Sequence, residues 1–443
     1  MSTTAVLSTA RTPFGRLGGA LASLGATSLG ADAIRNAVAR AGIDPADVEH
    51  VIMGLVIGAG VGQAPARQAA FKAGLAKTTT AETVNKVCAS GMLAVAYAAR
   101  LIGAGEHEVV VAGGMESMSN APYLLPNARF GYRYGDGTLV DAMVIDGLFD
   151  AYFSEAMASQ GARVAAELGV TRALQDEFAY QSHARAAAAH DAGFLAPEIA
   201  PIRVATKAKG KIVVDALPAP ARARIPAPVG GGDGGVWNHV PPADMVADPA
   251  KYSPYVTGDV PATLVERDEP VRADASLEAM AKLKPLDPGG TITAGNAPGV
   301  NDGAAALVLA GTEYARRNGI EVLATIEGHA GAAWDPPYLA LTPAMAAQKL
   351  LDRHHLTVAD IAVWEFNEAF AAVALTAAVR LGLDPSAINL QGGAVAMGHP
   401  IGASGARIVG SVVQQLRRRG GGLGIAAICS GGGQGDAILV KVG

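Results

Sequence analysis

One unit of this chain is written twice, and the repeat limits the folds open to it. Ala89-Ser90-Gly91 opens an Ala-rich helical run, and the strand Val109-Val110-Val111-Ala112 then leads into Gly113-Gly114. In the last third, Ala403-Ser404-Gly405 opens a helical run, and the strand Ile425-Ala426-Ala427-Ile428 leads into Gly431-Gly432-Gly433. A shared tripeptide, helix, apolar strand and glycine run recur in one order. Chance similarity of Gly/Ala-rich text does not explain that order, and an internal duplication of one α/β unit follows.

The rhythm around the first copy supports the same class. Short apolar strands at Ala5–Leu7, Val51–Gly54 and Glu108–Gly113 alternate with helical patterns at about Ser28–Ala41, Gln63–Gly74 and Ala89–Gly103. Alternation at this spacing argues for a sheet covered by helices on both faces. Residues 120–299 lose the rhythm. They hold one clear helical stretch, Ser159–Ala192, and a run crowded with Pro, Gly and Ala at 216–262, which reads as an irregular insertion. That run contains Gly230-x-Gly232-x-x-Gly235, a formal dinucleotide-loop match. No strand pattern precedes it and no helix pattern follows, so it is read as fortuitous. A chain of 443 residues is too long for one simple core.

Several function classes are not expected. The net charge is −5, and the nearest basic run, Arg417-Arg418-Arg419, reads as the charged last turn of a helix before Gly420. Nucleic acid is therefore not an expected partner. No apolar stretch reads as long enough to span a membrane, and neither end of the sequence shows a targeting pattern, so a cytoplasmic protein is expected. There are only two cysteines, Cys88 and Cys429, which is no disulfide framework and suits a reducing compartment. Neither has CxxC spacing and no HxxxH accompanies them, so a zinc site is not expected.

Free cysteine is usually a small buried hydrophobe, and local context argues otherwise here. Cys88 precedes a helical run, where unsatisfied N–H groups and the helix dipole favour a thiolate, the form that attacks an acyl carbonyl. His399 lies in Gly398-His399-Pro400-Ile401-Gly402, the matching helix mouth of the second copy, and the repeat sets it opposite Cys88. Cys429 follows an apolar strand and opens a glycine run whose free N–H groups suit a negative oxygen. A thiol there would serve as acid and base near neutral pH. Asn367, after the strand Ala362–Glu365, reads as a helix cap or as the holder of a catalytic water.

At this point the motifs point to a family. VNKVCASGM, GGMESMS, NEAFA, GHPIGASG and CSGGGQG, with RTPFG, GQAPARQAA and TAGNAPGVNDGAAA, together resemble the thiolases over nearly the whole chain except the insertion. The resemblance implies a duplicated αβαβα layered core with an inserted loop domain that binds CoA. The halves would be residues 1–119 with 300–320 and residues 321–443, and the loop domain 120–299. It also implies a homodimer or homotetramer, with acyl-CoA and CoA as substrates and no cofactor. Cys88 would take the acyl group, His399 would activate it and later help hold an enolate, and Cys429 would move the α-proton. Asn367 would hold the enolate-site water, and the amides of Cys88 and Gly431 would form the second oxyanion hole.

Leu148, Met157, Arg272, Leu283, Ala294 and Phe370 match family positions that contact CoA or its pantetheine arm. Two positions depart from the pattern: Ala156 stands where the family has His, and Pro298 where it has a Ser that bonds pantetheine. VNKVCASGM is closer to the biosynthetic branch, so condensation of two acetyl-CoA to acetoacetyl-CoA, or the reverse thiolysis, is expected first. Two alternatives stand beside it. One is a 3-ketoacyl-CoA thiolase for longer or bulkier chains. The other is a scaffold that uses the insertion, with Trp237, Tyr252 and Tyr255, as a docking surface.

Overall fold

The computed structural model describes residues 3–205 and 262–443. In chain order the main elements of the first half are β1 (Thr4–Arg11), α1 (Ala26–Ala41), β2 (His50–Gly54), α2 (Pro65–Ala73), β3 (Thr80–Val84), α3 (Ser90–Ala104) and β4 (Val109–Ser117). The middle carries α4 (Met157–Glu167), α5 (Arg172–Asp191), β5 (Ile202–Ala205) and β6 (Ala262–Val265). Next come β7 (Asn301–Gly311), β8 (Ala324–Ala333), α6 (Thr342–His354), β9 (Ile361–Phe366), α7 (Ala371–Leu381), α8 (Ser404–Arg419), β10 (Gly422–Ser430) and β11 (Gln434–Val442).

The main strands hydrogen-bond in the order β9-β10-β11-β8-β1-β7-β4-β2-β3. β2 runs parallel to both β3 and β4, and β9 runs parallel to β10. Each half then returns antiparallel, β4 against β7 and β10 against β11. Among the described residues the strands of the two halves pair over a short seam, Thr4–Val6 of β1 with Ala324–Ile326 of β8.

Strand alternation sorts the side chains into layers, because successive residues point to opposite faces. Val109 and Val111 pack outward beneath α1 and α2. Val110 and Ala112 point the other way, into a cluster with α3 and α8. In the second half Ala426 and Ile428 join that central cluster, while Ile425 and Ala427 pack beneath α6 and α7. The result is helix, sheet, helix, sheet, helix. The central pair α3 and α8 approach closely where the repeated tripeptide supplies glycine. A Cβ on Gly405 would lie 2.4 Å from the Met92 nitrogen, and one on Gly91 would lie 2.9 Å from the Gly402 carbonyl oxygen.

Three expectations are corrected. The helical stretch read over Ser159–Ala192 is two helices. Gly169 adopts a φ of 71° after α4, and Thr171 caps α5 by accepting from the Leu174 N–H at 3.3 Å. Secondly, one helical stretch is long and apolar enough to cross a membrane, Val87–Ala104, with a mean hydropathy of 1.6. Half of that window is buried, and α3 within it is a central core helix. Thirdly, Asn367 is no helix cap, since α7 begins only at Ala371. Of the insertion read at 216–262, only Ala262 is among the described residues, so the Gly230–Gly235 match, Trp237, Tyr252 and Tyr255 lie outside them.

The middle region is tied to the core through a buried charge cluster. Arg11 on β1 donates to both Asp268 oxygens at 2.7 and 2.9 Å and to Glu198 at 3.4 Å. This Arg holds Asp268 well below the usual carboxylate range despite its burial.

Candidate active site

Cys88 sits two residues ahead of α3, in a loop held by its own helix. Val87 before it has a φ of 44°, a conformation unfavourable for a β-branched residue. Ser90 maintains it: its Oγ accepts from the Lys86 N–H at 2.8 Å and donates to the Val87 carbonyl at 2.6 Å. From the other half, the Ser430 hydroxyl donates to the Lys86 carbonyl. Cys88 is half-buried beside Val56, Ile57, Ile401 and Leu148.

The thiolate expected at rest is not what the site favours. Burial pushes the Cys88 thiol up to about 12, the charge of Glu116 adds to this, and hydrogen bonds from the backbone amides of Gly431 and Cys88 oppose it. Desolvation thus outweighs the helix N-terminus. The same two amides are the donors that the family resemblance implies for a carbonyl oxygen.

His399 is buried, and burial with the positive charge of Arg407 lowers its pKa to about 3. It is therefore a neutral imidazole near pH 7. Its tautomer follows from one neighbour. With the hydrogen on Nδ1, Ser404 Oγ accepts from the ring at 2.6 Å and donates its own proton to the Pro400 carbonyl at 3.0 Å, an arrangement that pairs every group. In this tautomer Nε2 keeps a lone pair 3.5 Å from Asn367 Nδ2. The His399 N–H donates to Asn301 Oδ1 at 2.9 Å, and Asn301 Nδ2 donates to the Gly15 carbonyl at 2.9 Å.

Asn367 follows β9, and its Oδ1 is buried without a partner among the described residues. The next residue, Glu368, is wholly buried. It accepts from Ser182 at 2.8 Å, the Val395 N–H at 2.9 Å and Asn389 at 2.8 Å, and so ties Asn367 to the turn that leads into His399. Cys429, the next-to-last residue of β10, is 1% exposed among Val164, Leu339, Ala340, Ala369 and Val373. Burial and the neighbouring Cys88 push its thiol well above the ordinary range, which corrects the expectation of an acid and base poised near neutrality.

The pocket residues fall into two groups. Leu148 packs in the cluster of Cys88, while Met157 and Phe370 pack in that of Cys429. Arg272, Leu283 and Ala294 belong to neither cluster. Arg272 is exposed, with its backbone N–H on His183 Nδ1 at 3.1 Å, and Leu283 lies against Gly295 beside the exposed Ala294. Ala156 starts α4 with no side-chain cap.

Ser404, Glu368 and Glu116 are the members of the site that motif reading passed over. Ser404 was visible only as a repeat marker, and the two glutamates only as polar letters inside apolar motifs. A buried carboxylate in such a run is itself a signal, because it must find several donors.

A partly exposed thiol, a glycine-rich loop of the other half bonded to the loop that holds it, and a buried neutral imidazole suit one chemistry: acyl transfer through a cysteine thioester. The duplicated five-layer fold narrows the class further, and comparison with known proteins agrees. The chain belongs to the thiolase family. The thiolase N-terminal domain matches residues 4–222 and 255–313, and the thiolase C-terminal domain matches residues 320–442. The chain is 42% identical over 442 residues to the acetyl-CoA acetyltransferase of Cupriavidus necator, covering 100% of both chains. It is 42% identical over 444 residues to a probable acetyl-CoA acetyltransferase of Mycobacterium tuberculosis, again covering 100% of both. To the acetyl-CoA acetyltransferase of Escherichia coli it is 41% identical over 443 residues, covering 100% of this chain and 99% of the other.

Proposed function

We propose that this thiolase condenses two molecules of acetyl-CoA to acetoacetyl-CoA and runs the reverse thiolysis, through an acyl group on Cys88. One observation carries the reading: Ser430, the residue after Cys429, donates its hydroxyl to the Lys86 carbonyl in the Cys88 loop, and a Cβ on Gly431 would lie 3.4 Å from Val87 Cγ1. The second-half loop that holds the proton carrier thus also faces the first-half nucleophile.

The steps follow from the groups present. The Cys88 thiol gives its proton to His399 Nε2 as the sulfur bonds to the thioester carbonyl carbon. The amides of Cys88 and Gly431 receive the charge that develops on oxygen. The C–S bond to CoA then breaks, and the CoA sulfur leaves with the proton from His399. His399 Nε2 then takes the Cys429 proton, the Cys429 thiolate removes an α-proton from a second acetyl-CoA, and Asn367 and the imidazolium N–H stabilise the enolate oxygen. Its carbon attacks the acyl group, the bond to Cys88 breaks, the Cys88 sulfur takes the proton from His399, and the α-proton stays on Cys429. A thiol of raised pKa suits this exchange, because its thiolate is a strong base once formed. No cofactor enters the reaction.

Incubation with acetyl-CoA should add one acetyl group to Cys88, seen by peptide mass spectrometry, and acetoacetyl-CoA with CoA should give acetyl-CoA. Absence of both would sink the proposal. A second reading, a thiolase for longer or bulkier acyl chains, is favoured by Ala156, which leaves the start of α4 without a side chain beyond a methyl beside Met157. Thiolysis across 3-ketoacyl-CoAs of increasing length separates the two. The scaffold reading rests on residues outside those described, and deletion of 216–262 followed by activity and assembly assays tests it.

A homo-oligomer is also proposed. The edge strand β3 is largely exposed, and the 123–153 segment displays Tyr123, Phe130, Tyr134 and Tyr152 to solvent. Two free thiols support a cytoplasmic, reducing setting.

A further inference from the structure

Glu116, in the GGMESMS motif at the end of β4, takes part in none of the steps above, yet it is fully buried. Its Oε2 accepts from the Val56 N–H at 3.1 Å and the Gly402 N–H at 2.9 Å, and its Oε1 accepts from the Ile57 N–H at 3.2 Å. The donors come from different halves. Val56 and Ile57 follow β2 and form the apolar wall beside Cys88. Gly402 closes the turn that begins at His399. No cation pairs with this carboxylate among the described residues.

We propose that Glu116 is a positioning residue: its ionised carboxylate pins the His399 turn of the second half to the Cys88 wall of the first, and the site loosens when it takes up a proton. The inference rests on the acyl-transfer reading for its consequence and on the geometry alone for the clamp.

The chemistry of the three partners supports it. All are N–H donors, so each oxygen must present lone pairs. A proton on the free site of Oε1 turns that oxygen into a hydroxyl, leaves the Ile57 N–H a poorer acceptor and removes the charge that strengthens all three bonds. The ionised form is costly in this position. Burial without a counter-cation pushes Glu116 up to about 7, with the three amides opposing and Asp302 adding to the rise. The ionisable groups on the elements packed against it are few. Asp302 on β7 is engaged by Ser119 at 2.6 and 2.9 Å. Cys88 lies before α3, His399 before α8, and Arg407 on α8 pairs with Glu365 at 3.5 Å.

Because the Glu116 pKa is raised, the clamp is at full strength above about pH 7 and weakens as pH falls through that value. The catalytic groups lie elsewhere, with Cys88 up to about 12, Cys429 raised and His399 down to about 3. Glu365 is also pushed up by burial, to about 8, so the limb that belongs to Glu116 is the one that E116Q removes.

The test uses the full chain and the variants E116Q and E116D. Acetoacetyl-CoA thiolysis is followed from about pH 5.5 to 9, and alkylation of Cys88 by iodoacetamide is followed over the same range without substrate. Wild type should show an inflection near pH 7 in both. E116Q keeps the shape but cannot titrate, so its kcat should fall about tenfold or more at high pH and run flat where wild type bends. E116D keeps a carboxylate too short to reach all three donors, so it should retain an inflection at reduced kcat. This arm stands if E116Q does not fold. An inflection of wild-type position and size in E116Q overturns the proposal, as does its absence from wild type or from E116D. A chain with no thiolysis but a Glu116-dependent inflection in alkylation would overturn the acyl-transfer reading and leave the clamp standing.

Discussion

The two helix mouths at α3 and α8 began as one sequence and now do different work. Both open on Ala-Ser-Gly, and both serines bond backward to the loop before them. Ser90 spends both of its bonds on backbone, the Lys86 N–H and the Val87 carbonyl, and so holds a strained residue beside a partly exposed sulfur. Ser404 spends one bond on the Pro400 carbonyl and the other on His399 Nδ1. One mouth presents an atom for attack, and the other fixes a proton acceptor in a buried pocket. A duplicated scaffold thus keeps its packing in both copies and diverges where a single hydroxyl makes its second bond.

The comparison breaks first at the nucleophile. If the α3 mouth carries the attacking sulfur, Cys88→Ala should lower thiolysis by about ten-thousandfold or more, with no acetylated peptide by mass spectrometry. Cys429→Ala should still acetylate Cys88 and fail to condense, so retained condensation would remove Cys429 from proton transfer. At the α8 mouth, His399→Ala should lower kcat by about a thousandfold with KM little changed. Equal losses in kcat and 1/KM would point to substrate binding instead.

The serines sharpen the contrast. Ser404→Ala frees the imidazole to turn and to change tautomer, so kcat should fall by about tenfold to a hundredfold, with recovery in Ser404→Thr. Nitrogen NMR of the His399 ring should show Nδ1–H in wild type and a mixture in Ser404→Ala. Ser90→Ala should instead appear chiefly as lost stability, about 1–2 kcal/mol by denaturant melts, because it leaves the part-buried Lys86 N–H without its acceptor, while the Val87 carbonyl keeps the Ser90 N–H at 3.1 Å. A larger effect on tautomer than on stability at Ser90 would reverse the distinction.

A last difference lies in pH-dependent stability. The His399 pKa is depressed to about 3 in the folded chain. Below its ordinary value of about 6.5 the unfolded chain binds a proton that the folded chain does not, so stability falls as pH falls from there toward 3. The stability difference between wild type and His399→Gln should change by about 1.4 kcal/mol per pH unit in that window. A pH-independent difference would show that the imidazole is not held neutral.

How much of this was legible depends on range. The repeat marked α3, α8 and their following strands because it is local text, and periodicity placed the first-half helices within a few residues. The break at Gly169 escaped because Ala-rich text on either side masks one glycine. The motif letters drew attention to Cys88, His399, Cys429 and Asn367. Their ionisation ran against expectation at both cysteines, since desolvation depends on neighbours brought from far along the chain, such as Leu339 and Val164 around Cys429. Glu116 and Glu368 stayed hidden for the same reason: their donors at Gly402 and Ser182 are distant in sequence.

One piece of plain geometry bears on how this chain can be handled. β5 and β6 pair from Ile202 with Val265 to Ala205 with Ala262, so the chain leaves the described fold and re-enters it at facing positions. Closing such a gap costs little more for a long connection than for a short one. This stem is therefore a natural socket: a two-residue turn, an affinity tag or a whole folded reporter joined between Ala205 and Ala262 meets the same two anchor points and leaves the strands that carry the chemistry in register.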